Sequence, residues 1–211
     1  MADSDLTARP DACGPAGGGA AADRGCPSPG ARLPLSCDRI VDAAVRYVDH
    51  DCLDGLSMRR LGAELGVEAM SLYRYFPSKA ALLDAVVCRM LADLVLPHPR
   101  DAGAWEDAVR AYARSFRAVC AAHPRLLPLL ATMGAANPTL ATIHREMVAL
   151  WQAAGFAPNI AAQAQVALQG YVTGTCLQVC RDDRAEGAFT LGLDALVAGL
   201  RARLTEPPVP A

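Results

Sequence analysis

Between Ser71 and Lys79 the sequence reads SLYRYFPSK, and the chemistry gathered there is that of phosphate and base recognition. Tyr73 and Tyr75 offer hydroxyls to phosphate oxygens, and Arg74 offers a guanidinium. Lys79 is the only lysine in a chain with 19 arginines, and it follows Pro77-Ser78 in what should be the first turn of a helix. A compact ammonium at that position can hold a phosphate. Upstream, Arg59 can reach a guanine edge or a phosphate, and Ala69 and Met70 are apolar groups suited to a thymine methyl. Ser57 and Ser71 stand near expected helix starts, where hydroxyl and backbone N–H can share a phosphate. From 57 to 79 four basic residues (Arg59, Arg60, Arg74, Lys79) face two acidic ones (Glu64, Glu68), a local +2 in a chain of net charge −2.

These groups need elements to present them. Glycine and proline recur at helix-length intervals, and no segment alternates with β-branched enrichment, so the chain reads as all-α. Ser36 caps a first helix to about residue 52, with Ile40, Ala44, Tyr47 and Val48 on one face. Ser57 caps a short helix, Met58 to Leu65, ended by Gly66. A third is expected from Glu68 to Phe76, stopped by Pro77. Ser78 caps a fourth that should continue to Pro97. Five more are expected: Trp105 to Ala122, Pro124 to Met133, Pro138 to Ala154, Pro158 to Arg181 and Ala188 to Leu204. The second and third have helix-turn-helix spacing, with Gly66 supplying the left-handed turn residue. Leu61, Leu65, Val67 and Leu72 are placed to hold the pair, with Leu72 and Phe76 inward, Ala69, Met70, Tyr73 and Arg74 outward and Tyr75 at the edge.

The rest of the composition narrows the function classes. Residues 1–33, with GPAGGGAAA and four Asp against three Arg, read as a flexible tail and not a basic arm; residues 205–211 read as a second tail. No apolar run is long enough to span a membrane and no signal peptide is evident, which makes the cytoplasm the expected location. The eight cysteines are then expected as reduced thiols, with no zinc-like spacing. Cys176 and Cys180, four apart, read as small buried hydrophobes ahead of a redox or metal pair. His50, His98, His123 and His144 are scattered, and no GxSxG, HExxH or P-loop occurs, which argues against an enzyme. No cofactor and no metal are expected.

The stretch GLSMRRLGAELGVEAMSLYRYFPSKAALLDAV, Gly55 to Val86, resembles the DNA-binding domain of the TetR family of transcriptional regulators. The resemblance rests on the Leu-Gly-Val turn, Leu72-Tyr73, Tyr75-Phe76, Lys79 and the following Leu-Leu. It places Arg59, Ser71, Tyr73 and Lys79 at DNA-contacting positions; Ala69 and Met70 differ from the more polar residues some members carry. AYARSFRAVCAAHPRLLPLLA and FTLGLDALVAGLRARL are similar to the ligand-binding half of a TetR subgroup. The implied organisation is a helix-turn-helix DNA-binding domain at 34–80 and a helical ligand-binding and dimerisation domain at 81–204.

In that second half, Phe116, Cys120, Met133, Ile143, Met147 and Trp151 are large or adaptable apolar groups on three consecutive helices. Gln165, Gln169 and Thr173 add polar contacts from a fourth, and His144 is a further candidate. Such a mixture suits a small, largely apolar ligand. Gln163, Ala167, Gly170 and Gly174 form a small-residue stripe, and Leu193, Leu196, Val197 and Leu200 share a face of the last helix. The resemblance implies that these two helices form a homodimer, which suits a palindromic double-stranded DNA operator. It also implies a repressor released when ligand binds. A transcriptional activator, a thiol-based redox sensor on the same fold, or a cofactor-binding helical protein without DNA activity are the alternatives.

Overall fold

The first helix opens at Ser36, whose hydroxyl accepts the Arg39 amide at 3.2 Å and caps α1, Cys37–His50. The computed structural model describes residues 34–51, 53–133, 136–179 and 185–205. The readings of residues 1–33 and 205–211 as tails lie outside these, except that Thr205 ends the last helix. All regular structure among the described residues is helical. α1 turns Ile40, Ala44 and Val48 into the core, and Tyr47 is half-buried at its edge.

Ser57 caps α2, Met58–Leu65, and Ser78 caps α4, Lys79–Met90, each hydroxyl accepting an amide three residues on. Between them lies α3, Ala69–Tyr73. α3 is shorter than expected because Pro77 keeps Phe76 out of helical conformation and the last turn tightens. The Tyr75 and Phe76 amides both bond the Leu72 carbonyl, at 3.0 and 2.9 Å. α4 also stops early, at Met90 and not near Pro97. After a turn the chain has no regular structure from 94 to 98, and the Val95 amide donates to Ser115 Oγ at 2.9 Å. That tertiary bond, with Pro97 restricting Leu96, outweighs the helical propensity of the apolar run.

The larger half holds α5, Trp105–Ala122; α6, Leu127–Met133; α7, Pro138–Ala153; α8, Pro158–Val179; and α9, Ala185–Thr205. The expected helix from Pro124 begins instead as a 3-10 turn, Pro124–Leu126, and another such turn spans Pro99–Ala104. α8 packs against α5, α7 and α9, and α1 packs on both α4 and the Pro124–Leu126 turn. Trp105, Trp151 and Phe156 meet with every ring centroid pair at 5.3 Å, two of the three contacts edge-on, the favoured aromatic geometry. Buried side chains run continuously from Ile40 to Val197.

Candidate nucleic-acid interface and ligand cavity

The exposed end of the helix-turn-helix follows from one close approach. A Cβ on Gly62 would sit 2.8 Å from the Val67 carbonyl oxygen and 3.3 Å from the Ala69 amide nitrogen, so only glycine lets α3 lie this near α2. Gly66, at φ 70°, turns the chain between them. Leu61, Leu65, Leu72 and Phe76 are buried beneath, and Val67 is half-buried beside them.

This packing turns α3 outward on its other side. Met70 is 70% exposed and Tyr73 44%, and Arg74 follows at the helix end. Ala69 and Ser71 are half-buried at the flank, Ala69 against the core. Arg59, Arg74 and Lys79 are all exposed and make no ion pair among the described residues. Arg60, by contrast, is engaged internally, donating to the Gly55 carbonyl at 3.1 Å and to the Tyr47 hydroxyl. Tyr75 donates its hydroxyl hydrogen to the Leu35 carbonyl at 2.7 Å, so it fastens the start of the chain's described part and retains only acceptor capacity. Ser57 likewise spends its oxygen on the α2 cap.

A cavity of about 480 Å³ opens between α5, α6, α7 and α8. Phe116, Ile143, His144, Gln165, Gln169 and Thr173 all line it. Its polar edge is preordered: Tyr112 donates to Gln169 Oε1 at 2.8 Å, and Gln169 donates onward to Thr173 at 2.9 Å. Burial holds the Tyr112 hydroxyl in its neutral form by pushing its pKa well up. Met147 and Trp151 do not reach the wall; both are fully buried, Trp151 within the aromatic cluster. Met133 is half-buried against the core. Cys120 lines a different cavity with Cys176; Cys180 lies outside the described residues.

Sequence spacing missed Leu130 and Leu140 on the cavity wall and the ties that lead away from it. Asn137 is buried, caps α7 through the Thr139 and Leu140 amides, and donates to Asp84 of α4 at 2.9 Å. The Asn-Pro pair at 137–138 signals the cap; nothing in the sequence signals Asp84 as its partner. At the end of α5, His123 Nδ1 lies 2.9 Å from Asp49 Oδ2 on α1. Arg125 donates to the carbonyls of His50 and Asp51.

The small-residue and apolar faces of the last two helices divide differently than expected. Leu193 and Val197 are buried within the chain, with Leu196 and Leu200 packed partly against them. The outward face carries Leu191, 74% exposed, with Ala195 and Ala198. On α8, Val166 is 65% exposed beside Gln163, Ala167 and Gly170, while Gly170 and Gly174 also border the cavity.

Comparison with known proteins gives a consistent likeness. Residues 40–86 match the family model described as bacterial regulatory proteins, tetR family, and residues 96–187 match the tetracyclin repressor-like C-terminal domain. The HTH-type transcriptional repressor DrrR1 of Streptomyces coeruleorubidus is 35% identical over 76% of this chain; the match spans only 59% of that protein's length. An HTH-type transcriptional regulator of Saccharopolyspora erythraea is 31% identical over 82% of this chain and 72% of its own. Among solved structures, Streptomyces coelicolor ActR in complex with actinorhodin superimposes with a TM-score of 0.73. It is 26% identical over 82% of this chain and all of that one. A single-substitution variant of TetR from Acinetobacter baumannii AYE, in complex with minocycline, gives 0.70 at 28% identity, over the same shares.

Proposed function

The chain belongs to the tetR family of bacterial regulatory proteins, and from that premise we propose that it is a dimeric repressor released from a palindromic operator by a small, largely apolar molecule. The observation that carries this reading is the outward set on and beside α3. Met70, Tyr73 and Arg74 are exposed, and Arg59 and Lys79 flank them with no carboxylate to neutralise either cation among the described residues. Ser71, Tyr73, Arg59 and Lys79 serve the phosphates; Ala69, Met70 and Arg74 face base edges. Tyr75, whose hydroxyl hydrogen goes to Leu35, positions the motif; Ser57 caps α2 as an acceptor and still has its hydroxyl hydrogen to donate to a phosphate.

The effector occupies the cavity between α5 and α8. Phe116, Leu130, Leu140 and Ile143 give it apolar contact, and His144, Gln165, Gln169 and Thr173 orient it through one polar edge. Among the described residues no charged side chain lines this cavity, which favours a neutral ligand. Leu140 lies on the first turn of α7, whose cap Asn137 holds Asp84 of α4. A ligand that displaces Leu140 therefore acts on the helix that begins with Lys79. Relatives with this fold are described in complex with actinorhodin and with minocycline. A coupling of about 1–3 kcal/mol would change operator affinity roughly 5–150-fold.

Dimerisation uses Val166, Ala167 and Gly170 of α8 with Leu191, Ala195 and Ala198 of α9. These small and apolar groups let helix axes approach closely, and a two-fold pairing would cover the exposed leucine and valine. Two recognition helices then meet half-sites about one DNA turn apart. The test is fluorescence anisotropy with labelled duplex from beside the gene and random duplex as competitor, at two salt concentrations. Tight binding that survives competitor and weakens with salt supports the reading. Equal, weak binding to both duplexes, followed by failure to select any sequence from random DNA, overturns it.

A further inference from the structure

We propose that Cys120 and Cys176 are a two-thiol modification site, which a hydroperoxide closes into a disulfide between α5 and α8. Both side chains are buried, yet both line a cavity of about 700 Å³ that also meets Arg114, Arg117 and Glu186. The cavity is roomy enough for a small peroxide. Cys120 and Cys176 line the same cavity, one from α5 and one from α8, and are hydrogen-bonding neighbours there. That hydrogen bond, chiefly, lowers the Cys176 thiol from its ordinary pKa; burial opposes it and the Arg117 charge adds to it. Arg117 is itself held in place, paired with Glu186 and lying 4.9 Å over the Phe189 ring. No group of three metal-ligating side chains occurs among the described residues, so two-electron oxidation suits this pair better than a closed metal site.

The chemistry balances with the hydroperoxide as sole oxidant. The Cys176 thiolate attacks the outer peroxide oxygen; an S–O bond forms, the O–O bond breaks, and the alkoxide leaves and takes up a proton as the alcohol. The Cys120 sulfur then attacks the resulting sulfenic sulfur; the S–S bond forms, the S–O bond breaks, and water leaves with the Cys120 proton. Two thiols and one hydroperoxide become one disulfide, one alcohol and one water. Phe116 lies one turn before Cys120 on α5, and Thr173 one turn before Cys176 on α8, and both face the 480 Å³ cavity. Closing the disulfide therefore fixes the spacing of the two helices that hold the effector site. The thiol site stands independently of any operator.

The test uses the whole chain, reduced and desalted without air, then given one equivalent of cumene hydroperoxide. Remaining thiols are alkylated, and intact mass and a non-reducing tryptic digest are recorded. Cys176 shares its expected tryptic peptide, 146–181, with Cys180, so a Cys180→Ser chain is run in parallel. The expected result is a monomer that loses two alkylatable thiols together. Peptide 118–125 should be joined to 146–181 in both chains, and dithiothreitol should reverse the link. The link should vanish in Cys120→Ala and Cys176→Ala; if either variant fails to melt cooperatively, the map from the Cys180→Ser chain decides. An unchanged thiol count, an oxygen adduct that no second thiol resolves, or a link that disappears in Cys180→Ser overturns the proposal.

Discussion

Asn137 Nδ2 donates to Asp84 Oδ1 across 2.9 Å, and this single bond joins the cap of α7 to the middle of α4. Asn137 is buried and its oxygen already serves two amides of α7. Asp84→Ala removes the tie while leaving that cap intact. The expected cost is about 1–3 kcal/mol in denaturant unfolding, because the buried Asn137 amide loses its acceptor. Operator affinity of the unliganded protein should fall about fivefold, the low end of ordinary coupling energies. Unchanged anisotropy titrations would place the coupling elsewhere.

Gly62→Ala tests the close approach of α2 and α3. The added methyl meets the Val67 carbonyl oxygen and the Ala69 amide, backbone groups that cannot swing aside. A loss of about 1–3 kcal/mol is expected from this overpacking, with operator binding falling further because α3 tilts. Circular dichroism melts and anisotropy on one preparation separate the two effects.

Lys79→Ala should leave the fold unchanged, since the side chain is exposed and Ser78 supplies the cap of α4. Binding should weaken alike on all sequences, and the slope of log affinity against log salt should shrink by about 1. Met70→Ala, in contrast, should change which sequences are preferred and leave the salt slope alone. If both variants behave identically, the assignment of phosphate and base roles is wrong.

Leu191→Glu places a charge on the outward face of α9. If α8 and α9 pair with their copies, light scattering should show a monomer, and cooperative operator binding should disappear. A dimer of undiminished stability would move the interface to another surface.

Glu106 accepts from Arg201, and Arg110 lies 3.6 Å away. The Arg201 hydrogen bond, chiefly, holds its carboxyl below the usual value; burial opposes it, and the Arg201 and Arg110 charges add to it. The folded chain thus releases this proton more readily than the unfolded chain does. The resulting stability is present above the unfolded carboxylate pKa and disappears as pH falls through the lowered folded one. Glu106→Gln should melt below the parent chain at neutral pH, with the gap closing as pH falls below the usual carboxylate range and narrowing in salt.

Much of the fold is legible in the sequence because caps and breakers are local. Ser36, Ser57, Ser78, Gly66 and Pro158 sit where the helices begin or turn. The sequence overextends α4 because ALLDAVVCRMLADLVL is rich in Leu and Ala and has no glycine or proline before Pro97, and the bond that draws residue 95 away comes from Ser115 on another helix. Within the cavity, periodicity identifies the face but not the depth. Ile143 and Met147 are one turn apart on α7, yet only Ile143 reaches the opening, while Met147 is fully buried. Helical spacing offers Cys180 as the neighbour of Cys176, whereas Cys120 meets it from α5. Spacing along one chain segment carries no information about which other segment lies across from it.

The early end of α4 sets how the two halves can influence each other. A helix continued to Pro97 would be a stiff rod about 27 Å long, rotating whatever it carries when one end is pushed. Instead a short rod ends in an irregular tether, pinned at Val95 by Ser115, the residue beside Phe116 of the cavity wall. By this route, force applied at α5 would reach α4 as tension in a few residues, beside the Asn137–Asp84 tie, and not as torque along a lever. The length of that tether is then a tuning element: adding or removing one residue between 91 and 98 should retune the response while leaving the DNA-facing and ligand-facing side chains as they are.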